Sequence, residues 1–121
     1  MNAIHNTVGT LVVLAFLISI AGNLMTAFGG RSFRWQLPLA YGAATLLLLQ
    51  YMLGFSLLGS GEDVPVSHYV VALLAILPVG FEHGFANTRQ NLRQRGLYAA
   101  VAEGVTLALV LVAYIIGQSN A

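Results

Sequence analysis

Val8–Phe28, VGTLVVLAFLISIAGNLMTAF, carries no charged side chain, and its length matches the roughly 20 residues that cross a hydrocarbon core about 30 Å thick. Three more stretches of comparable length and character follow: Leu37–Leu58, Tyr69–Phe85 and Leu97–Gly117. Lipid offers the backbone no hydrogen-bond partner, so each stretch must satisfy its own amides as a helix. None shows the strict polar and apolar alternation of a membrane barrel strand. Only 7% of the residues are charged and the mean hydropathy is +0.81, whereas a soluble domain carries about 25% charged residues. These features predict an all-α, four-helix transmembrane bundle forming a single domain over residues 1–121, with helices at about 5–28, 36–58, 68–86 and 96–117. The first stretch reads as a span rather than a cleaved signal, because Met1–Thr7 has no basic residue and the apolar run is longer than a typical signal core.

Charge predicts the orientation. Arg31 and Arg34 fall between the first two spans, and Arg89, Arg93 and Arg95 between the last two. Gly59–Ser67 carries Glu62 and Asp63 and no positive charge. The positive-inside rule then puts the arginine loops in the cytoplasm and both termini outside, as in a prokaryotic inner membrane or its organelle equivalent. Pro78 removes an amide donor within the third span, which predicts a kink. Gly96, Ala100, Gly104 and Ala108 recur every fourth residue on the last span, a smooth face suited to close packing inside the bundle or against another membrane subunit.

Ionisable groups within a membrane are costly, and they mark sites to be explained. Here they are His5, His68, Glu82, His83 and Glu103, with Gln50 as an uncharged companion. His5 and His68 begin the first and third spans, at similar depth on the outer side, and bundles place cofactors between ligands from facing helices. One turn deeper on the same face stand Gly9 and Ala72, and Gln50 is followed by Gly54 in the same way. Small residues there leave room for a flat macrocycle, and two neutral imidazoles complete the axial positions of a haem iron. Two histidines alone serve zinc poorly. The alternative is a pair of histidines half-solvated among lipid headgroups.

At the other end, Glu82, His83 and Glu103 can meet, because the last two spans are antiparallel. They form either a proton entry point or the polar end of a quinone pocket, or they pair with Arg89, Arg93 or Arg95 at the interface. There is no cysteine, which excludes disulfides, thiolate metal sites and covalent haem attachment. No phosphate-binding glycine loop, metalloprotease motif or nucleophile elbow is present. There is no inverted repeat of the kind transporters carry, and nothing points to nucleic acid.

His5–Asn6–Thr7–Val8–Gly9, Leu49–Gln50–Tyr51–Met52–Leu53–Gly54, and His68 followed by Val70–Leu77 resemble the histidine-bearing helices of one four-helix half of the heme A synthases. The resemblance covers about Ile4–Leu77 and implies that His5 and His68 are the axial metal ligands of one b-type haem. Asn2 stands where the family's catalytic half has a glutamate, the family's cysteine pair is absent, and there is one half rather than two. What the resemblance implies is therefore a haem b cytochrome, an electron-transport or anchoring subunit of a membrane redox complex, rather than a stand-alone enzyme making heme A. The alternative is an accessory subunit without its own cofactor. The outer side has no basic residue to meet haem propionates, and Asn2, Asn6, Ser60, Ser67, backbone amides or a partner subunit would replace it.

Overall fold

The computed structural model describes residues 3–61 and 63–119; Asn2 and Glu62 lie outside the described residues. Helix α1 is Ala3–Gly29, α2 is Gln36–Gly59, α3 is Val66–Leu74, α4 is Ile76–Gly84 and α5 is Leu92–Ser119, with a 3₁₀ turn at Ala86–Thr88. Helices α3 and α4 belong to one span, Val66–Thr88, so the chain has four helical segments long and apolar enough to cross a membrane. No strand occurs among the described residues.

The ends of the helices follow local chemistry. Gly30, at φ +67°, closes α1 in the left-handed conformation, and its amide reaches back to the Thr26 carbonyl at 2.9 Å. Asn91 caps α5, its side-chain oxygen accepting the Gln94 amide at 3.0 Å. The last helix therefore starts earlier than the sequence predicts, and Arg93 and Arg95 sit in its first turn rather than in a loop. The third span breaks at Ala75. Pro78 cannot donate to the Leu74 carbonyl, and its ring crowds that group. The Ala75 amide takes the tighter bond to Ala72 instead, at 3.2 Å.

The helices form an up-down-up-down ring in which α1 and α5 are the most closely joined pair, α2 packs on α1, and α3 and α4 pack on α5. Val12, Phe16, Ala43, Leu47, Ala75, Val79 and Leu107 fill the centre. Gly96 makes the α1–α5 approach possible, because a β-carbon there would lie 2.6 Å from the Asn23 carbonyl and 2.7 Å from the Ala27 amide. The four-residue stripe on α5 does not form one interface. Gly96 and Ala100 are buried in the bundle, Gly104 has no neighbour within 4 Å of its would-be β-carbon, and Ala108 is exposed. Each four-residue step overshoots a full helical turn by about 40°, so the stripe winds from the inside of the bundle to its outside. Leu11, Leu14, Leu17 and Ile18 of α1, with Val105, Leu111, Val112 and Ile115 of α5, point outward, where lipid would meet them.

Candidate functional site

The seam between α2 and α3 is the loose side of the ring. There, at the end of the bundle that holds the starts of α1 and α3, lies an apolar cavity bordered by all four spans. It is an open-mouthed cavity of about 110 Å³. His5, Gly9, Gln50, Gly54, His68 and Ala72, the six residues singled out from the sequence, all line it.

The two histidines are held differently. The ring of His68 donates Nδ1–H to the Ala113 carbonyl at 2.6 Å, since a carbonyl can only accept. This fixes the tautomer and leaves Nε2 with its lone pair. A backbone carbonyl on the remote ring nitrogen is the usual support of a metal-ligating histidine. His5 is buried, and its Nε2 lies 3.4 Å from the Gln50 amide nitrogen, which makes it the acceptor of a long bond from that NH₂.

The small residues act otherwise than the sequence predicts at two of three positions. A β-carbon on Gly9 would stand 3.0 Å from Gln50 Nε2, and one on Gly54 would stand 3.5 Å from His5 Cε1. Gly9 thus makes room for the Gln50 side chain where α1 and α2 approach, whereas a β-carbon on Gly54 would make only ordinary contact with the His5 ring. Ala72 borders the cavity, and its carbonyl accepts the Tyr51 hydroxyl at 2.5 Å across the α2–α3 seam. Asn6 lines the mouth with Tyr69, Tyr114 and Gln118. Ser60 and Ser67 stay outside it, and the Ser60 hydroxyl is taken by the Leu57 carbonyl at 2.8 Å. Tyr51, Tyr69, Tyr114 and Gln118 were missed from the sequence, although a tyrosine next to Gln50 inside an apolar run was a signal.

The residues present suit a haem. Two imidazoles from α1 and α3 border one apolar space, and the His68 ring is tied to the backbone through Nδ1. A bare metal ion is served less well, because no group of three or more His, Asp or Glu side chains comes together among the described residues.

A second polar cluster lies toward the arginine-bearing end. Glu103 is fully buried and accepts the Ser19 hydroxyl and the Asn23 amide, each at 2.5 Å. Ser19 in turn accepts the Gln36 amide at 3.1 Å. Glu82 is 1% exposed and lies against Glu103. The expected pairing with Arg89, Arg93 or Arg95 does not form. Among the described residues the ion-pair contact of Glu82 is with His83 Nε2 at 3.7 Å. Arg89 lies over the Phe85 ring, and Arg93 reaches the Phe28 carbonyl at 3.5 Å. His83 stacks on Tyr41 with centroids 4.6 Å apart and meets the Asn87 amide at 3.1 Å.

Compared with known proteins, the chain matches no family model, no curated protein and no solved structure.

Proposed function

We propose that this chain is a membrane-embedded b-type cytochrome, with one haem held between His5 and His68 near the outer face, serving as an electron-transfer or anchoring subunit of a membrane redox complex. The observation that carries the reading is the shared cavity: two imidazoles on different helices border one apolar space, and His68 is oriented through Nδ1 by the Ala113 carbonyl. The resemblance of the same helices to one half of the heme A synthases supports it further. His68, through the nitrogen not bonded to Ala113, and His5, whose Nε2 now meets the Gln50 amide, would hold the iron. Asn6, Tyr69, Tyr114 and Gln118 offer polar contacts at the mouth, and Val12, Val13, Leu47 and Val110 keep water from the inner wall. A haem with two imidazole ligands supplies a one-electron couple and leaves no open coordination position, which favours electron transfer over oxygen chemistry.

The arginine distribution supports a cytoplasmic position for Arg31–Arg34 and Arg89–Arg95, with both termini and the cavity mouth on the opposite side. Absorption spectra of the gently purified protein, oxidised and dithionite-reduced, test the haem reading. A reducible Soret band with α and β bands of a low-spin haem b is the expected result. A spectrum without them, from protein isolated together with its membrane partners, would leave the cofactor-free accessory subunit as the function.

A further inference from the structure

We infer that the Glu82–Glu103 pair is a proton-binding site inside the bundle, loaded from the arginine-bearing end through a polar cleft between α1, α2 and α5. This inference does not depend on the haem reading, since it rests on a different end of the molecule. Two carboxyl groups from α4 and α5 meet where water does not reach; Glu103 is 0% exposed. The donors around them are all directed at Glu103. Ser19 gives it a hydroxyl and Asn23 an amide, while neither oxygen of Glu82 has a donor within hydrogen-bonding distance. A carboxylate can only accept. Two ionised groups in contact would therefore leave Glu82 without any hydrogen bond and bury two like charges with no arginine beside them and only the His83 ring, 3.7 Å from Glu82, to offset one of them, an arrangement too costly to keep. One proton resolves both problems. It sits on Glu82, whose O–H then donates to Glu103, and the pair carries a single charge already solvated by Ser19 and Asn23.

The surroundings give that proton a way in. Ser19 is bonded to Gln36, and Gln36 and Asn23 border a polar cleft with Thr26, Ser32, Asn87 and Arg95. Water in the cleft is thus one side chain away from Glu103 through Asn23 and two away through Gln36 and Ser19. The other groups able to titrate or carry charge near the pair are few: His83 on α4, Tyr41 of α2 stacked against it, and Arg95 at the cleft. Helix α1 contributes only uncharged Ser19 and Asn23. Transfer requires no redox partner. A proton from cleft water reaches the Glu103 carboxylate and hydroxide or buffer base remains outside; the proton then settles between the two carboxyls.

Infrared difference spectroscopy of the whole chain in lipid nanodiscs tests this, because a protonated carboxyl absorbs apart from a carboxylate and shifts in deuterated water. The chain has four acidic side chains, so assignment is direct. The expected result at neutral pH is one carboxylic acid band that survives Glu62→Gln with Asp63→Asn and disappears in Glu82→Gln. The amide introduced by Glu82→Gln replaces the O–H donor, so this variant keeps the contact to Glu103 and the fold. Ser32→Trp, which fills the cleft, should slow deuterium exchange of the band several-fold without removing it. A wild-type protein with no such band overturns the shared proton, and this needs no variant to fold. A band whose exchange ignores Ser32→Trp overturns the route.

Discussion

His68 donates its Nδ1–H to the carbonyl oxygen of Ala113 at 2.6 Å, tying the start of α3 to the far end of α5. The bond selects one tautomer and turns the second nitrogen away from the backbone, so the side chain is pre-oriented before any ligand arrives. His68→Ala and His5→Ala should each abolish haem retention, read as loss of the Soret band per protein. His83→Ala should retain it, since His83 stacks on Tyr41 at the other cluster. Equal haem content in all three variants would sink the axial assignment.

Gly9→Leu tests the same cavity by volume. Even a β-carbon at this position presses on Gln50 at 3.0 Å, and a leucine must push that side chain into the space bordered by His5 and Ala72. Haem content should fall while the folded fraction, followed by size-exclusion elution, stays high. A variant that keeps full haem content would mean the cavity is not where the ring lies.

The α2–α3 seam is held by the Tyr51 hydroxyl on the Ala72 carbonyl. Tyr51→Phe keeps the ring and removes the bond, so it should cost about 0.5–1.5 kcal/mol in reversible unfolding. The seam should also open more readily to lipid-soluble quenchers. Unchanged stability and quenching would show that apolar contacts alone close this side.

Gly96 and Gly104 should respond in opposite ways to one substitution. At Gly96 a larger side chain meets the backbone of Asn23 and Ala27, and overpacking of this kind costs about 1–3 kcal/mol, so Gly96→Val should lower thermal stability. Gly104→Val enters open space and should leave the isolated chain unchanged. Cross-linking to neighbouring subunits in native membranes should weaken in Gly104→Val if that face docks a partner.

Single cysteines at Ser60 and Gln90, both exposed, should label from opposite sides of the membrane with an impermeant reagent. The chain has no other cysteine. Labelling of both from outside intact cells would contradict the orientation proposed from the arginines.

The four spans and the cavity were legible because they rest on strong local rules: run length, and the return of every fourth residue to one face. His5 with Gly9, His68 with Ala72 and Gln50 with Gly54 needed nothing more to be brought to one end of the bundle. What fills the space beside a glycine was not legible, since it depends on the helix opposite. Gly9 meets Gln50 and Gly54 meets His5 for that reason. The arginine pairing expected for Glu82 failed likewise, because nearness in sequence does not set which face of α4 turns inward. Glu82 turns to Glu103 and the arginines turn to Phe85, to the end of α1 and to the polar cleft.

The clasp of Glu103 on Ser19 and Asn23 links residues 84 and 80 positions apart, and so bears on how the protein is made. A ribosome delivers α1 long before α5, and these two form the most intimate helix pair among the described residues. Until α5 arrives, Ser19 and Asn23 wait in lipid without their carboxylate and Gly96 has not yet met Ala27. Three-span chains should therefore be recognisable to membrane proteases or insertion chaperones by those bare polar groups. Arrival of α5, rather than insertion of the helices before it, is the step that removes the mark. Contacts between such distant parts of a chain form late.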